Sequence, residues 1–204
     1  MTIEKPLSEV QLPPIGDPRI RFYLDHQQAI HTWAQLREDA NQALHDLLLD
    51  LVDVLANDAS SLPDGDDIEV RADTDDLRKP RIVIARRRWI DRGKATAAIV
   101  IEWGRHVIDE HGEATLFVGV RAGERGRRNQ AVSTELSRLG PRMRSDLGGP
   151  PWQREDDSFP VWRWVLPEGT GIDEVAWMGQ IRDAAWRCWE VASDHIDRII
   201  RDET

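Results

Sequence analysis

Apolar residues recur every three or four positions over a long segment near the start of the chain. Asp17 and Pro18 form an N-cap and first-turn pair that predicts a short helix through Leu24. Asp25, with Gln28 three residues later, predicts the start of a second and longer helix. Its apolar stripe predicts a single packing face, made of Ile30, Trp33, Leu36, Ala40, Ala43, Leu44, Leu47, Leu48, Leu51, Val54 and Leu55.

The pattern then changes to an alternation of apolar and polar residues, which is typical of strands. Residues 68–72, 81–89, 95–103 and 115–121 are the predicted strands. The second and third are joined by IDRGK, in which Gly93 is able to take a positive φ, so we expect an antiparallel hairpin. The third is apolar on both faces, which predicts a central strand covered on both sides.

The last third of the chain returns to helices around one late strand. A short helix is predicted over 129–143, ended by Gly140 and Pro141, and a long one over 173–201. Between them lies a predicted strand over 159–166, whose Trp162 and Trp164 share one face and are expected to pack beneath a helix.

The predicted fold class is therefore α+β: a central mixed sheet of four to five strands, an antiparallel meander plus the late strand. A long N-terminal helix, a short middle helix and a long C-terminal helix flank it. Residues 1–16 are predicted to be a flexible arm and residues 17–204 a single domain.

Composition narrows the class of protein. The chain has 204 residues, 40% of them hydrophobic and 31% charged, which fits a globular protein. It offers neither an apolar run long enough for a membrane span nor a secretory signal, so a cytoplasmic protein without membrane contact is expected. Cys188 is the one cysteine, so an internal disulfide and a multi-cysteine zinc site are excluded, and its apolar neighbours predict an inert thiol.

Charge is divided unevenly along the chain. The net charge is -10, yet residues 78–144 carry 16 basic and 7 acidic side chains, so this segment is at +9 and the remainder at -19. Guanidinium groups match phosphate oxygens, so the segment predicts contact with nucleic acid or an acidic partner. The alternative is that these arginines pair with nearby carboxylates on a solvated surface. The candidate nucleic-acid-binding residues are Arg86, Arg87, Arg88, Arg92, Lys94, Arg125, Arg127 and Arg128.

One acidic motif lies at the end of the predicted central strand. The run Ile101-Glu102-Trp103-Gly104-Arg105 follows a loop that carries Asp73, Asp75 and Asp76. Together with the element order, it resembles the PD-(D/E)XK, or restriction-endonuclease-like, superfamily over residues 17–201. That resemblance implies a Mg²⁺-dependent nuclease with Glu102, Asp75 and Asp76 as catalytic acids. Gly104, however, stands where the superfamily has its lysine, so the motif is not intact.

Other enzyme classes lack their motifs. The six histidines show no zinc-protease spacing, and neither a phosphate-binding loop nor a nucleophile elbow is present. Trp152 lies in a Gly-Pro loop, where it is a candidate partner anchor. The sequence therefore favours a non-catalytic binding module that needs neither metal nor cofactor. The alternatives are the diverged nuclease, which would need Mg²⁺, and an acidic inhibitor or antitoxin. The oligomeric state is left open.

Overall fold

The computed structural model describes residues 17–76, 78–109, 111, 113–123, 127–149, 151–153, 158–167 and 173–202, apart from the side chains of residues 127–129. The chain divides into two compact units, Met1–Ala40 and Asn41–Thr204. The single domain over 17–204 stays a prediction, and the predicted arm over 1–16 lies outside the described residues. No helix in the described part of the chain is long and apolar enough to cross a membrane.

Helix α1 (Pro18–Ser60) begins where the sequence predicts it. The backbone N–H of Arg19 donates to Asp17 Oδ1 at 2.9 Å, so Asp17 caps the first turn. The predicted break at Asp25 is wrong, because α1 runs through it without interruption. A capping residue helps only where the preceding residue leaves the helix, and no glycine or proline stands there to force that exit.

The apolar stripe of α1 meets two different environments. In the second unit Leu44, Leu48, Leu51 and Leu55 are buried, as predicted. In the first unit the same periodicity continues, but Trp33 is 73% exposed and Leu36 is exposed as well. The packing face predicted from residue 30 onwards is therefore wrong over its first third, and also at Ala43 and Val54, which are exposed. Periodicity reports an amphipathic helix and does not say what covers it.

The second unit is built on a five-stranded sheet, antiparallel throughout rather than mixed. Its strands, in spatial order, are β1 (Ile68–Asp73), β2 (Arg81–Arg86), β5 (Ala97–Glu102), β6 (Phe117–Ala122) and β7 (Val161–Trp164). A separate two-stranded hairpin, β3 (Ile90–Asp91) and β4 (Lys94–Ala95), lies between β2 and β5, and residues 87–89, predicted to end the second strand, form a 3-10 turn. Every residue of β5 is buried, which confirms the predicted central strand.

Two further helices complete the unit and confirm the α+β class. Helix α2 (Arg127–Leu147) continues through Pro141, so the predicted end at Gly140-Pro141 is wrong. Gly140 serves close packing instead, because a Cβ there would lie 2.9 Å from the carbonyl oxygen of Pro160. The helix ends before Gly148 and Gly149, which both have positive φ. Helix α3 (Glu174–Asp202) is capped by Asp173, which accepts from the N–H of Ala176 at 3.0 Å.

Strand alternation gives the sheet two different faces. Ile82, Ile84 and Arg86 of β2 point to the face that packs on α3, since Arg86 Nε lies 3.2 Å from Asp197 Oδ2. The opposite face carries the charged residues of β1 together with Arg81, Glu102, Arg121 and the tryptophans of β7. Trp162 and Trp164 do share that face, with ring centroids 5.0 Å apart. Trp164 is 44% exposed, so the prediction that both pack beneath a helix is wrong for it.

Candidate functional site: a basic hairpin fixed to a buried aspartate

The β3–β4 hairpin presents positive charge at its surface. We call residues 87–95 the basic hairpin. Ile90 pairs with Ala95 and Asp91 with Lys94, which leaves Arg92 and Gly93 as a two-residue turn. Their φ angles are 50° and 79°, the sign pair of a type I′ turn. Arg87, Arg92 and Lys94 are all exposed.

Arg92 holds a conformation that its residue type disfavours. Among the described residues it is the one non-glycine residue with positive φ. The left-handed region costs an ordinary L-residue about 1 kcal/mol or more, and type I′ turns prefer Asn-Gly or Asp-Gly. Arg71 Nη2 donates to the carbonyl oxygen of Gly93 at 2.7 Å, which fixes the turn against β1. Backbone strain of this kind clusters at functional sites.

The start of the basic hairpin is fixed by a buried carboxylate on α3. Asp197 is 9% exposed and accepts from Arg88 Nη2 at 2.6 Å, Arg88 Nε at 3.0 Å and Trp89 Nε1 at 2.6 Å. The guanidinium of Arg86 lies beside the same carboxylate and over the ring of Trp189, 5.4 Å from its centroid. We call Arg86, Arg88, Trp89 and Asp197 the Asp197 hub.

The positive charges of Arg86 and Arg88 balance the negative charge of Asp197 in the hub. Burial alone would raise the pKa of Asp197, but the hydrogen bonds from Arg88 and Trp89 and the charges of Arg86 and Arg88 hold that pKa below its usual value. Arg88 also donates to Asp67 Oδ2 at 2.9 Å, and Arg86 to Asp64 Oδ2 at 3.3 Å. The hub therefore connects the loop after α1, strand β2 and helix α3 at the base of the basic hairpin.

The predicted nucleic-acid residues divide into three groups. Arg86 and Arg88 belong to the hub, so the salt-bridge alternative describes these two. Arg87, Arg92 and Lys94 are exposed residues of the basic hairpin. Arg125 lies outside the described residues, as do the side chains of Arg127 and Arg128, whose backbone opens α2.

Acidic residues lie next to this basic surface. A cleft of about 400 Å³ is lined by Arg88 and by the loop that carries Asp64, Asp66 and Asp67. Two exposed cations of α2 pair within their own helix, Arg138 with Glu135 and Arg142 with Asp146. Several arginines of the positive segment are therefore paired with carboxylates in the fold, and the basic hairpin contributes three exposed cations, Arg87, Arg92 and Lys94.

The predicted catalytic acid lies elsewhere, at one end of the sheet. Asp73, Arg81, Glu102, Phe117 and Trp164 are in register across all five strands and so share the charged face. Arg81 donates from Nε to Asp73 Oδ2 at 2.8 Å and from Nη1 to Glu102 Oε2 at 3.4 Å. Arg81 thus stands between the two carboxylates.

Glu102 is 3% exposed, and burial raises its pKa, although the charges of Arg121, Arg81 and Lys79 oppose the shift. Asp75 and Asp76 are exposed on the β1–β2 turn. Within the described part of the chain, no group of three or more His, Cys, Asp or Glu side chains is arranged to hold a metal ion. Gly104 leaves no room for the missing lysine, since a Cβ there would lie 2.9 Å from Thr115 Oγ1.

Trp152 is only partly exposed. Its Nε1 donates to the carbonyl oxygen of Gly148 at 3.2 Å, and its ring lies over the guanidinium of Arg163, 4.9 Å from Cζ to centroid. The neighbouring Gln153 pairs with Trp162 at the edge of the sheet. The indole predicted as a partner anchor is thus already engaged within the chain. Cys188 is fully buried, and burial raises the pKa of its thiol.

Sequence reasoning missed the hub and the strain. Asp197 stands inside the apolar stripe of α3, between Ile196 and Ile200, and an acid in such a stripe is a signal for a buried ion pair. For the strained turn, the signal was the pair Arg92-Gly93 between two short strands, because a two-residue turn of this kind usually has asparagine in the first position.

Comparison with known proteins gives no further indication of function, because the chain matches no protein-family model, no curated protein and no solved structure.

Proposed function

We propose that the chain is a non-catalytic binding module that contacts the phosphates of duplex nucleic acid through Arg87, Arg92 and Lys94 of the basic hairpin. The observation that carries this proposal is the left-handed Arg92 at the tip. An arginine there costs stability that asparagine would not, and its presence is accounted for if its guanidinium contacts a partner.

The geometry of the hairpin suits a phosphate backbone. A two-stranded ribbon fits the major groove of B-DNA, and guanidinium groups bind phosphate oxygens through two parallel hydrogen bonds. Arg71 and the Asp197 hub hold the two ends of the basic hairpin, so little conformational entropy is lost when a partner is bound.

The net charge of -10 limits the interaction to this surface. Long-range attraction to a polyanion is absent, so binding depends on the few direct contacts and weakens as salt screens them. Backbone contacts position a protein without reading bases, so the affinity should vary little between DNA sequences.

The test is a fluorescence anisotropy titration of labelled duplex DNA at low salt. The double variant Arg87→Ala/Arg92→Asn should lose most of the affinity. Its matched control is Arg138→Ala/Arg142→Ala, which removes the same charge from the exposed face of α2. The control should bind like the wild type, because those arginines already pair with carboxylates of their own helix.

The same titration addresses the other predicted functions. Equal losses in both double variants would mean that net charge alone governs binding, and this would overturn the proposal. Cleavage of the DNA in Mg²⁺ or Mn²⁺ that disappears in Glu102→Ala would replace it with the nuclease alternative. Absence of binding at every salt concentration would exclude nucleic acid as the partner. The remaining hypothesis would then be an acidic protein that binds another protein.

A further inference from the structure

The two edges of the five-stranded sheet differ in how far their backbone is paired. At the β7 edge the backbone of Trp162 exchanges two hydrogen bonds with Gln153, at 2.7 and 3.1 Å. At the other edge lies β1, which pairs with β2 alone among the described strands. An edge strand with free N–H and C=O groups is a surface to which a further strand can add.

The alternation of hydrogen bonds identifies the groups of β1 that point outward. The N–H of Trp103 donates to the carbonyl oxygen of Pro80, so even-numbered residues of β2 direct their backbone groups at β5 and odd-numbered ones at β1. In the β1–β2 ladder the odd-numbered residues 69, 71 and 73 therefore pair with β2. The backbone groups of residues 68, 70 and 72 point away from the sheet.

These outward groups are almost all available. Within the described part of the chain one of them is hydrogen-bonded, the N–H of Ile68, which donates to the carbonyl oxygen of Gly65. The other outward groups belong to Val70, to Ala72 and to the carbonyl of Ile68. Proline and β-bulges, which block the edges of many sheets, are both absent from β1.

The charges on β1 identify the occupant as a second copy of the same strand. If two copies pair antiparallel about Val70, residue 69 of each lies opposite residue 71 of the other. Glu69 then faces Arg71 twice, and their side chains are 38% and 36% exposed. Since both residues direct their backbone groups at β2, they form non-hydrogen-bonded pairs across the new interface, where opposite side chains lie closest.

Arg71 is able to serve both copies. Its Nε lies 3.4 Å from Glu69 Oε1 of its own strand, and its Nη2 donates to the carbonyl oxygen of Gly93. A guanidinium group has further N–H donors beyond these two. The pairing therefore joins two existing Glu69–Arg71 pairs into one cluster of alternating charge.

Other registers lack this match. Centring the pair on Glu69 or on Arg71 sets that residue opposite its own equivalent, so like charges meet. A shift by one position places Glu69 opposite Ala72, which belongs to the other face of the sheet. The ladder also ends at Ile68, because its N–H turns back to Gly65, so the aspartates outside that point do not extend it.

We propose that β1 pairs antiparallel with β1 of a second copy, centred on Val70, and joins the two sheets into one. The N–H of each Val70 donates to the carbonyl oxygen of the other, and the N–H of each Ala72 donates to the carbonyl oxygen of the other copy's Ile68. The interface is isologous, so it closes as a dimer. It does not depend on the proposed contact of the basic hairpin with DNA.

The first test is a mass measurement by light scattering or sedimentation. The full chain should have twice its monomer mass of 23.3 kDa in the micromolar range. Val70→Pro should make it monomeric and leave it folded, because the N–H that proline removes points away from β2. Val70→Thr keeps that N–H and a β-branched side chain, so this matched control should remain dimeric. A wild type that is monomeric throughout this range, or a folded Val70→Pro variant that stays dimeric, would overturn the proposal.

Charge exchange tests the pairing without a backbone change. Glu69→Arg and Arg71→Glu should each raise the dissociation constant about tenfold, because two attractions become two repulsions. An equal mixture of these two variants should form a heterodimer of wild-type affinity, since every basic side chain then faces an acidic one. If the mixture fails to recover, the charges of β1 do not lie at the interface and the proposal is wrong.

The register has its own test. The double variant Glu69→Arg/Arg71→Glu should dimerise with itself as tightly as the wild type does. It should not pair with the wild type, because a mixed dimer sets like charges opposite each other at both positions. Energy transfer between labelled copies measures the mixed dimer. Preferential mixing would mean that residue 69 meets residue 69, and this would contradict the register centred on Val70.

Discussion

Replacement of Arg92 by asparagine separates the stability of the basic hairpin from its proposed function. Arg92 has a φ of 50° and precedes Gly93 at 79°. Asparagine adopts this region more readily than arginine and forms the preferred Asn-Gly pair of a type I′ turn. We expect Arg92→Asn to raise the free energy of unfolding by about 1 kcal/mol, which corresponds to a rise in Tm of about 2–4 °C for a unit of this size.

The same change removes one of the three exposed cations, so it should weaken binding to duplex DNA while it stabilises the fold. Urea denaturation and thermal melts measure the first effect, and an anisotropy titration measures the second. Arg87→Asn is the matched control, because it removes an equal charge from a neighbouring exposed position whose φ is not positive. This control should weaken binding without any stabilisation.

Two results would refute this reasoning. If Arg92→Asn leaves stability unchanged or lowers it, the turn is not strained in the way its φ indicates. If it stabilises the protein and DNA affinity is unchanged, then Arg92 takes no part in binding and the strain needs another explanation.

Three further predictions concern the core and the buried acids. Asp197→Asn should cost about 3 kcal/mol in urea denaturation, because it leaves buried guanidinium charge without its partner. Since the folded pKa of Asp197 is lowered, this deficit should shrink as pH falls below about 4; a deficit constant with pH would contradict the hub. Glu102→Gln should gain stability relative to wild type as pH rises above about 4.3, because the folded pKa of Glu102 is raised. If the stability of the two proteins varies with pH in the same way, the carboxylate of Glu102 is not desolvated. Leu48→Asp should abolish the cooperative thermal melt, because Leu48 is buried, whereas Val54→Asp should keep it, because Val54 is exposed on the same helix. A normal melt for both variants would show that Leu48 does not lie on the core face of α1.

The central sheet was predictable because its signal is local. Residues 97–102 are apolar on both faces, and only a strand covered on both sides accommodates that pattern. The start of α1 was predictable for a similar reason, since Asp17 and Pro18 act on the turn that follows them. The ends of α1 and α2 depend on packing. Local preferences therefore wrongly predicted a break in α1 at Asp25 and the end of α2 at Pro141.

The candidate site was less accessible to sequence reasoning because it is made by contacts distant along the chain. Arg88 and Asp197 are 109 residues apart, and nothing local distinguishes Arg88 from its neighbour Arg87. The charge excess of residues 78–144 located the right segment, but it could not say which arginines carboxylates would engage. Only the fold separates the hub from the surface of the basic hairpin.

The salt dependence of duplex DNA binding tests the proposed function most directly. If Arg87, Arg92 and Lys94 each neutralise one phosphate, log affinity should fall linearly with log salt concentration at a slope of about -2.7. The variant Arg87→Ala/Arg92→Asn should reduce that slope to about -0.9, while Arg138→Ala/Arg142→Ala should leave it unchanged. A wild-type protein that shows no binding at low salt, or a slope that the hairpin variant leaves intact, would contradict the account.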